Sequence, residues 1–189
     1  MPGLSAQKQT LKILAVTAAV VFISYFSFWP KGAHVDVAKL NPADAIEVHP
    51  GDARRTIYIF EQPHCEFCAK LAPELDKLSG VRVLVFIVAP HGGDSPALAR
   101  NAWCAKRGAE RAAAWRSVLL DRPTTDAQCD VSAVGRNLAI AKAAGMSGTP
   151  SIVFANGDVH TGFLTAAQIE ERVNDADPGS HRSSLFGLL

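Results

Sequence analysis

The sequence predicts one α/β domain with parallel strands and a helical insertion, preceded by a single apolar segment near the N-terminus. Residues 56–60 are an unbroken run of β-branched and aromatic side chains, which is typical of a strand buried on both faces. Leu71, Leu75 and Leu78 then recur at helical spacing before Gly80. Residues 82–89 form a second buried strand. A strand, a helix and a strand of these lengths predict a crossover unit with parallel strands.

The length and the charge of the chain limit its possible functions. Its 189 residues can bury one sizeable core but hardly two. The 19 basic and 18 acidic side chains leave a formal net charge of +1, and no block of like charges stands out to bind a polyanion. Nucleic acid is therefore not expected as a partner.

The apolar segment covers residues 13–29, which carry no charged side chain and follow Lys8 and Lys12. Its length of about 17 residues is close to that of the shortest membrane-spanning helices. We expect an uncleaved signal anchor, because bulky residues, a proline and a lysine at 28–31 stand where a signal peptidase would need small residues. The alternative is secretion to the periplasm after signal cleavage.

An anchor of this kind predicts the topology of the chain. Residues 1–12 would remain in the cytoplasm, since positive charges flanking a span stay inside. Everything after residue 30 would then lie outside, so that in a bacterium a single pass crosses the inner membrane and the domain lies in the periplasm. Four cysteines in an exported domain fit two pairs in an oxidising compartment.

Composition also predicts the boundaries of the domain. Residues 30–50 mix Gly, Pro, Asp and His with short apolar runs, which indicates a linker that could carry one early strand. The domain itself is expected at 51–175. Residues 176–189, with a proline, glycines and three serines, are expected to form a flexible tail.

The second half of the domain is predicted to be mainly helical. A helical insertion is expected at about 95–145, and Gly108 divides its first part into two helices. Residues 156–158, Asn-Gly-Asp, form a strong hairpin turn between two short strands. Thr165 then begins a final helix.

The sharpest motif is the pair Cys65 and Cys68, separated by Glu66 and Phe67, where the first predicted strand gives way to a helix. Unpaired N–H groups and the helix dipole at a helix N-terminus stabilise an anion, so Cys65 can be a thiolate nucleophile. Cys68 lies about one helical turn further on, where it can attack a mixed disulfide at Cys65 and release the substrate. The pattern predicts thiol–disulfide chemistry.

Other interpretations of this pair stay open. A structural zinc site would need a second close pair, but Cys104 and Cys129 are far apart in sequence. Copper could be held by His64 together with both thiols. A purely structural disulfide between Cys65 and Cys68 would cross-link very little chain. We therefore expect a redox pair, with no resident metal or cofactor.

Over about residues 55–173, the sequence resembles the catalytic domain of the periplasmic disulfide-bond isomerases DsbC and DsbG. Besides the Cys-x-x-Cys pair, the matching motifs are Trp103-Cys104-Ala105-Lys106, Cys129-Asp130-Val131 and Gly148-Thr149-Pro150. Together these motifs are specific, whereas each alone is weak. The resemblance implies a thioredoxin-like fold with a helical insertion, and thiol:disulfide oxidoreductase or isomerase activity on exported proteins that contain cysteines.

The resemblance also implies roles for residues outside the pair. The bond before Pro150 is expected to be cis, although the sequence alone would permit trans, and Thr149 becomes a candidate substrate contact. Phe67 either faces the substrate or only packs. Cys104 and Cys129 are expected to form a second, structural disulfide in place of two buried free thiols. A membrane redox partner is expected to reset the active pair.

Three ionisable residues are candidates for tuning the cysteines. Glu66 either sets a carboxylate against the Cys65 thiolate or points to water and complements the helix dipole. His64 could offset that charge when protonated. Glu61 is the candidate proton acceptor for Cys68.

The chain also differs from these isomerases before its domain. They carry a separate N-terminal dimerisation domain, where this chain has the predicted anchor and a short linker. We therefore expect a monomer and inefficient isomerase action.

Two other functions compete with thiol exchange. One is a tethered assembly or chaperone factor that binds clients without redox chemistry, and the other is a copper-handling protein that uses the same cysteines. An insulin-reduction assay with wild type and Cys65→Ser separates thiol exchange from both of these alternatives.

Overall fold

The fold is built around a five-stranded sheet, in a computed structural model that describes residues 32–177. The strands are β1 (Ile46–His49), β2 (Asp52–Glu61), β3 (Val81–Ile87), β4 (Ser151–Val153) and β5 (Val159–Thr161). The helices are α1 (Glu66–Leu75), α2 (Ser95–Cys104), α3 (Ala109–Leu119), α4 (Ser132–Ala143) and α5 (Ala166–Ala176), and two short 3-10 helices cover Val37–Lys39 and Pro42–Asp44.

The sheet places β2 at its centre. The strand order is β1-β3-β2-β4-β5, with β2 parallel to β3 and the other neighbours antiparallel. Because α1 connects β2 to β3, the predicted crossover unit is confirmed. The predicted turn at 156–158 joins β4 to β5. The segment that contains Cys65 and Cys68 therefore follows the central strand, which is hydrogen-bonded to a neighbour on each side.

Both faces of β2 are buried, as its run of apolar residues predicts. Ile57 and Ile59 are fully buried in the core cluster that contains side chains of α1, α2 and α3. On the other face, the rings of Phe60 and Phe86 stack with their centroids 5.2 Å apart. The strand is thus held from both sides, which fixes the position of its C-terminal end.

A disulfide holds the helical insertion together. Cys104, the last residue of α2, is bonded to Cys129 in the loop before α4, which is the pairing that the resemblance implies. The indole N–H of Trp103 donates to the carbonyl oxygen of Asp130 over 3.0 Å. Gly108, with φ of 83°, separates α2 from α3 as predicted. The C-terminal end of the loop between α3 and α4 is therefore tied to the end of α2.

The segment before β1, which we expected to form a linker, packs against the domain. Val35 and Leu40 are buried in the core cluster around Phe60 and Phe86. The backbone N–H of Val35 donates to the Gly157 carbonyl over 2.9 Å. A Cβ at position 157 would lie 2.4 Å from the Val35 oxygen, so this close approach requires glycine. The early strand that the sequence allowed in this segment is β1.

An ion pair reinforces the packing of this N-terminal segment. The carboxylate oxygens of Asp44 accept hydrogen bonds from Arg136 of α4 over 2.8 and 2.7 Å. The guanidinium of Arg136 lowers the pKa of Asp44, against the effect of burial. The apolar residues of this segment are spaced too irregularly to show a helical or strand period, so the sequence did not reveal its packing.

The final helix ends one residue past 175, the expected end of the domain. Thr165 caps α5 in a reciprocal capping box with Gln168, which confirms the predicted start. Ile169, Val173 and Ala176 are buried on one face, so Ala176, expected in the flexible tail, is the last helical residue. The rest of that tail from 178 on, like the predicted anchor at 13–29, lies outside the described residues. Between residues 32 and 177, no helix is long and apolar enough to cross a membrane.

One carboxyl group lies inside the core, at the end of β2. Glu61 is 1% exposed, and its Oε2 accepts a hydrogen bond from the indole of Trp115 over 2.6 Å. Its Oε1 has no hydrogen-bond partner within residues 32–177. Burial raises the pKa of Glu61 to about 7, although the Trp115 hydrogen bond and the charge of Arg116 act in the opposite direction. Glu61 is therefore partly protonated near neutral pH.

Replacing Cys104 and Cys129 together with alanine should lower the free energy of unfolding by about 3 kcal/mol. The bond spans a sequence separation of 25 residues, and removing it gives the unfolded chain more conformational freedom. Urea denaturation followed by tryptophan fluorescence measures the change. If the variant unfolds at the wild-type urea concentration, the bond does not stabilise the fold.

Glu61→Gln should change how stability depends on pH. The pKa of Glu61 is about 7 in the folded chain against an ordinary 4.5, so the folded state binds the extra proton between these values. The stability that this proton gives to the wild-type fold is therefore complete below the pKa of Glu61 in the unfolded chain. It is lost as pH rises through the pKa in the folded chain. Relative to wild type, the variant should gain about 2 kcal/mol between pH 5 and pH 8.

Urea denaturation at several pH values tests this expectation. Glu110→Gln is the matched control, because Glu110 is an exposed carboxylate on α3 near Lys106. The control should follow the wild-type curve. Parallel curves for Glu61→Gln and wild type would show that Glu61 does not bind the extra proton.

Candidate active site

Cys65 and Cys68 form a disulfide at the N-terminus of α1, directly after the central strand β2. Cys65 is the N-cap residue of α1 and is 7% exposed, whereas Cys68 is fully buried. The backbone N–H of Cys68 donates to the Sγ of Cys65 over 3.1 Å. In the reduced protein this N–H and the helix dipole would stabilise a Cys65 thiolate, while burial opposes ionisation of Cys68. The geometry favours Cys65 as the attacking thiol.

The loop before β4 lies beside this disulfide. The peptide bond between Thr149 and Pro150 is cis, as the resemblance implies. The hydroxyl group of Thr149 donates to the Sγ of Cys65 over 3.3 Å. The backbone N–H of Gly162 donates to the Pro150 carbonyl over 2.8 Å, which ties the loop to the end of β5. The Thr149 side chain therefore contacts the sulfur of Cys65.

His64, the residue before Cys65, lies between two carboxylates of the helical insertion. Its Nε2 is 2.7 Å from Oδ1 of Asp94, and its Nδ1 is 3.3 Å from Oδ1 of Asp121. The hydrogen bond to Asp94 is the main cause that raises the pKa of His64, and Asp121 adds to it. Sequence reasoning identified His64 but missed both partners, which lie 30 and 57 residues away.

Glu66 and Phe67, the two residues between the cysteines, are exposed to solvent. The carboxylate of Glu66 is 2.6 Å from Nζ of Lys70, and this hydrogen bond lowers the pKa of Glu66. The same Nζ lies 5.5 Å from the ring centroid of Phe67. These contacts favour the interpretation in which the Glu66 side chain points to water. Lys70 offsets its charge.

Glu61, the sequence candidate for the proton acceptor of Cys68, lies deeper in the core. Its polar contact is with Trp115, and no hydrogen bond within residues 32–177 joins its carboxyl group to either sulfur of the pair. Over the same residues, no three His, Cys, Asp or Glu side chains are arranged to hold a metal ion. Trp115 lies 54 residues from Glu61 in the sequence, so local pattern does not predict their contact.

The exposed large hydrophobic side chains of the described residues are Phe67 at 54%, Leu120 at 43% and Phe163 at 38%. Phe67 lies in the first turn of α1, between the cysteines. Leu120 precedes Asp121, which contacts His64. Phe163 follows Gly162, which is hydrogen-bonded to Pro150. Each of the three exposed side chains is thus adjacent in sequence to one of these residues: Cys68, Asp121 or Gly162.

Comparison with known proteins agrees with this site. A family model described as a thioredoxin-like domain matches residues 42–177. The probable thiol:disulfide interchange protein DsbC of Bordetella pertussis is 30% identical over 131 residues, which cover 68% of this chain and 45% of that protein. The thiol:disulfide interchange protein DsbC of Escherichia coli is 25% identical over 126 residues, covering 65% and 52%. The chain spans about half the length of these curated relatives.

Solved structures show the same relationship. A disulfide interchange protein from Neisseria gonorrhoeae superposes with a TM-score of 0.63 at 27% identity, covering 73% of this chain and 99% of that chain. Proteus mirabilis ScsC in a compact conformation also gives 0.63, covering 93% and 95%, and at 14% identity this likeness shows the fold alone. The chain therefore belongs to the thioredoxin-like domain family and is related to the thiol:disulfide interchange proteins named DsbC.

Proposed function

We propose that this chain is a thiol:disulfide oxidoreductase that reduces, reshuffles or forms disulfides in exported proteins through Cys65 and Cys68. The observation that carries the proposal is the cysteine pair at the N-terminus of α1, where Cys65 is the less buried of the two and contacts Thr149. The names of the relatives, which are thiol:disulfide interchange proteins, support the same chemistry.

The chemistry is a pair of exchange steps. The Cys65 thiolate attacks one sulfur of a client disulfide, and the other client sulfur leaves as a thiolate that takes up a proton. Cys68 then loses its proton and attacks the Sγ of Cys65, which releases the first client sulfur. Two electrons pass from the cysteine pair to the client, and the pair ends as the observed disulfide. The reverse sequence forms a client disulfide.

The surface around the pair suits unfolded clients. Phe67, Leu120 and Phe163 are exposed and adjacent in sequence to Cys68, Asp121 and Gly162, and unfolded chains present apolar segments that can cover them. The hydroxyl group of Thr149 lies beside the attacked sulfur, where it can contact the client chain. We therefore propose that clients bind through apolar side chains that flank their cysteines.

The proposed setting is the bacterial periplasm. Residues 13–29 would anchor the chain in the inner membrane, which is supported by the uncharged apolar run after Lys8 and Lys12. A redox partner in the membrane would reset the pair and so set the net direction as oxidase, reductase or isomerase. We propose that the chain acts as a monomer, which sedimentation of the purified protein tests.

Cys68→Ser should accumulate mixed disulfides with client proteins, because the thiol that resolves them is missing. Non-reducing gels of cells that express the variant would show these adducts. Cys65→Ser is the matched control, and it should trap no client and should not reduce insulin. Trapping by Cys65→Ser but not by Cys68→Ser would reverse the roles of the cysteines. Failure of the wild-type protein to reduce insulin would favour a non-redox chaperone.

Phe67→Ser and Phe163→Ser should each slow the reduction of an unfolded client several-fold. Each ring is partly exposed, so covering it by a client contributes about 1 kcal/mol. Glutathione exchange with the same variants is the internal control, because glutathione is too small to cover these rings, and its rate should not change. Equal slowing of both reactions would place the effect on the cysteines and not on client binding.

A further inference from the structure

Asp94 is the N-cap residue of α2 but does not cap that helix. Aspartate is favoured at this position because its carboxylate accepts hydrogen bonds from the first N–H groups of the helix. Here the side chain makes no such bond, and its Oδ1 lies 2.7 Å from Nε2 of His64. The carboxylate is therefore hydrogen-bonded to the residue before Cys65 and not to the N–H groups of its own helix.

Asp121 is also poorly placed for its own helix. It lies just after the C-terminus of α3, where a negative charge is unfavourable. Its φ of 50° is in the left-handed region, and the bonds from Asp121 to Val118 and from Arg122 to Ser117 form a helix end at which glycine is usual. Yet its Oδ1 lies 3.3 Å from Nδ1 of His64.

His64 has an uncommon backbone conformation as well. Its φ is 58°, so both residues of the hydrogen bond between His64 and Asp121 are in the left-handed region. Non-glycine residues persist there when their surroundings hold them, and such residues cluster at functional sites. Two carboxylates, one at the N-terminus of α2 and one after the C-terminus of α3, thus converge on the residue next to the attacking cysteine.

We propose that Asp94 and Asp121 are positioning residues for exchange at Cys65, because they occupy both ring nitrogens of His64. An imidazolium has two N–H donors, so with both engaged it has none left for the Cys65 thiolate. The three side chains together carry a net charge of −1 when His64 is protonated. The raised pKa of His64 agrees with this arrangement. The inference rests on the proposed role of Cys65.

The charged groups of α1 and β2 nearest to this segment in sequence do not cancel that net charge. On α1, Glu66 is paired with Lys70. On β2, Glu61 is buried and partly protonated near neutral pH. The negative cluster therefore opposes ionisation of Cys65, destabilises the reduced form and makes the active disulfide less oxidising than a free imidazolium would.

Asp94→Asn combined with Asp121→Asn tests the proposal. The pKa of His64, followed by NMR of its ring protons, should fall toward the ordinary value of about 6.5. Removing the negative charges should lower the pKa of Cys65, so its alkylation by iodoacetamide at pH 6 should become about threefold to tenfold faster. Mass spectrometry of the peptide that contains Cys65 measures this rate in the reduced protein. The equilibrium with glutathione should shift toward reduced protein by a similar factor.

Two further variants make the result specific. Asp126→Asn removes the same charge from the same insertion, where Asp126 is paired with Arg100, and should leave the Cys65 rate unchanged. His64→Gln leaves both carboxylates without the imidazolium and should slow alkylation of Cys65. This effect is the opposite of the one expected for the double variant. An unchanged His64 titration in the double variant, or an equal change in Asp126→Asn, overturns the proposal. No client is present, so these readouts stand even if exchange with clients fails.

Discussion

The site depends on one contact, the hydrogen bond from the backbone N–H of Cys68 to the Sγ of Cys65. It exists because β2, buried on both faces at the centre of the sheet, ends where α1 begins and leaves Cys65 as the N-cap residue. Ordinary N-cap residues accept this bond with oxygen, whereas here a sulfur accepts it. A position that normally stabilises a helix thus also stabilises a charged nucleophile.

The charged groups around the pair are each offset in a different way. Glu66 is compensated by Lys70 in solvent, and Glu61 is partly neutral because burial raises its pKa. Two aspartates raise the pKa of His64 through their hydrogen bonds, which favours its charged form. In our account, the helix terminus makes Cys65 acidic and the cluster around His64 limits how acidic it becomes. In the function that we propose, this balance and a membrane redox partner would together set the redox direction.

The sequence predicted the parts of the fold that depend on local pattern. The buried strands, the crossover helix, the turn at 156–158 and the start of α5 at Thr165 each follow from period, capping or turn chemistry. The motifs shared with DsbC and DsbG added the Cys104 to Cys129 pairing and the cis bond before Pro150. The packing of residues 33–45 and the two aspartates on His64 depend on long-range contacts, which no local pattern reports.

The most direct measurement is the pKa of Cys65 in the reduced wild-type protein. Alkylation rates of the peptides that contain Cys65 and Cys68, measured across pH, would give the pKa of each thiol separately. Our account predicts that Cys65 titrates clearly below the ordinary thiol value of about 8.5 and reacts before the buried Cys68. A Cys65 that titrates at or above that value, or a Cys68 that reacts first, would contradict the central role of the α1 N-terminus.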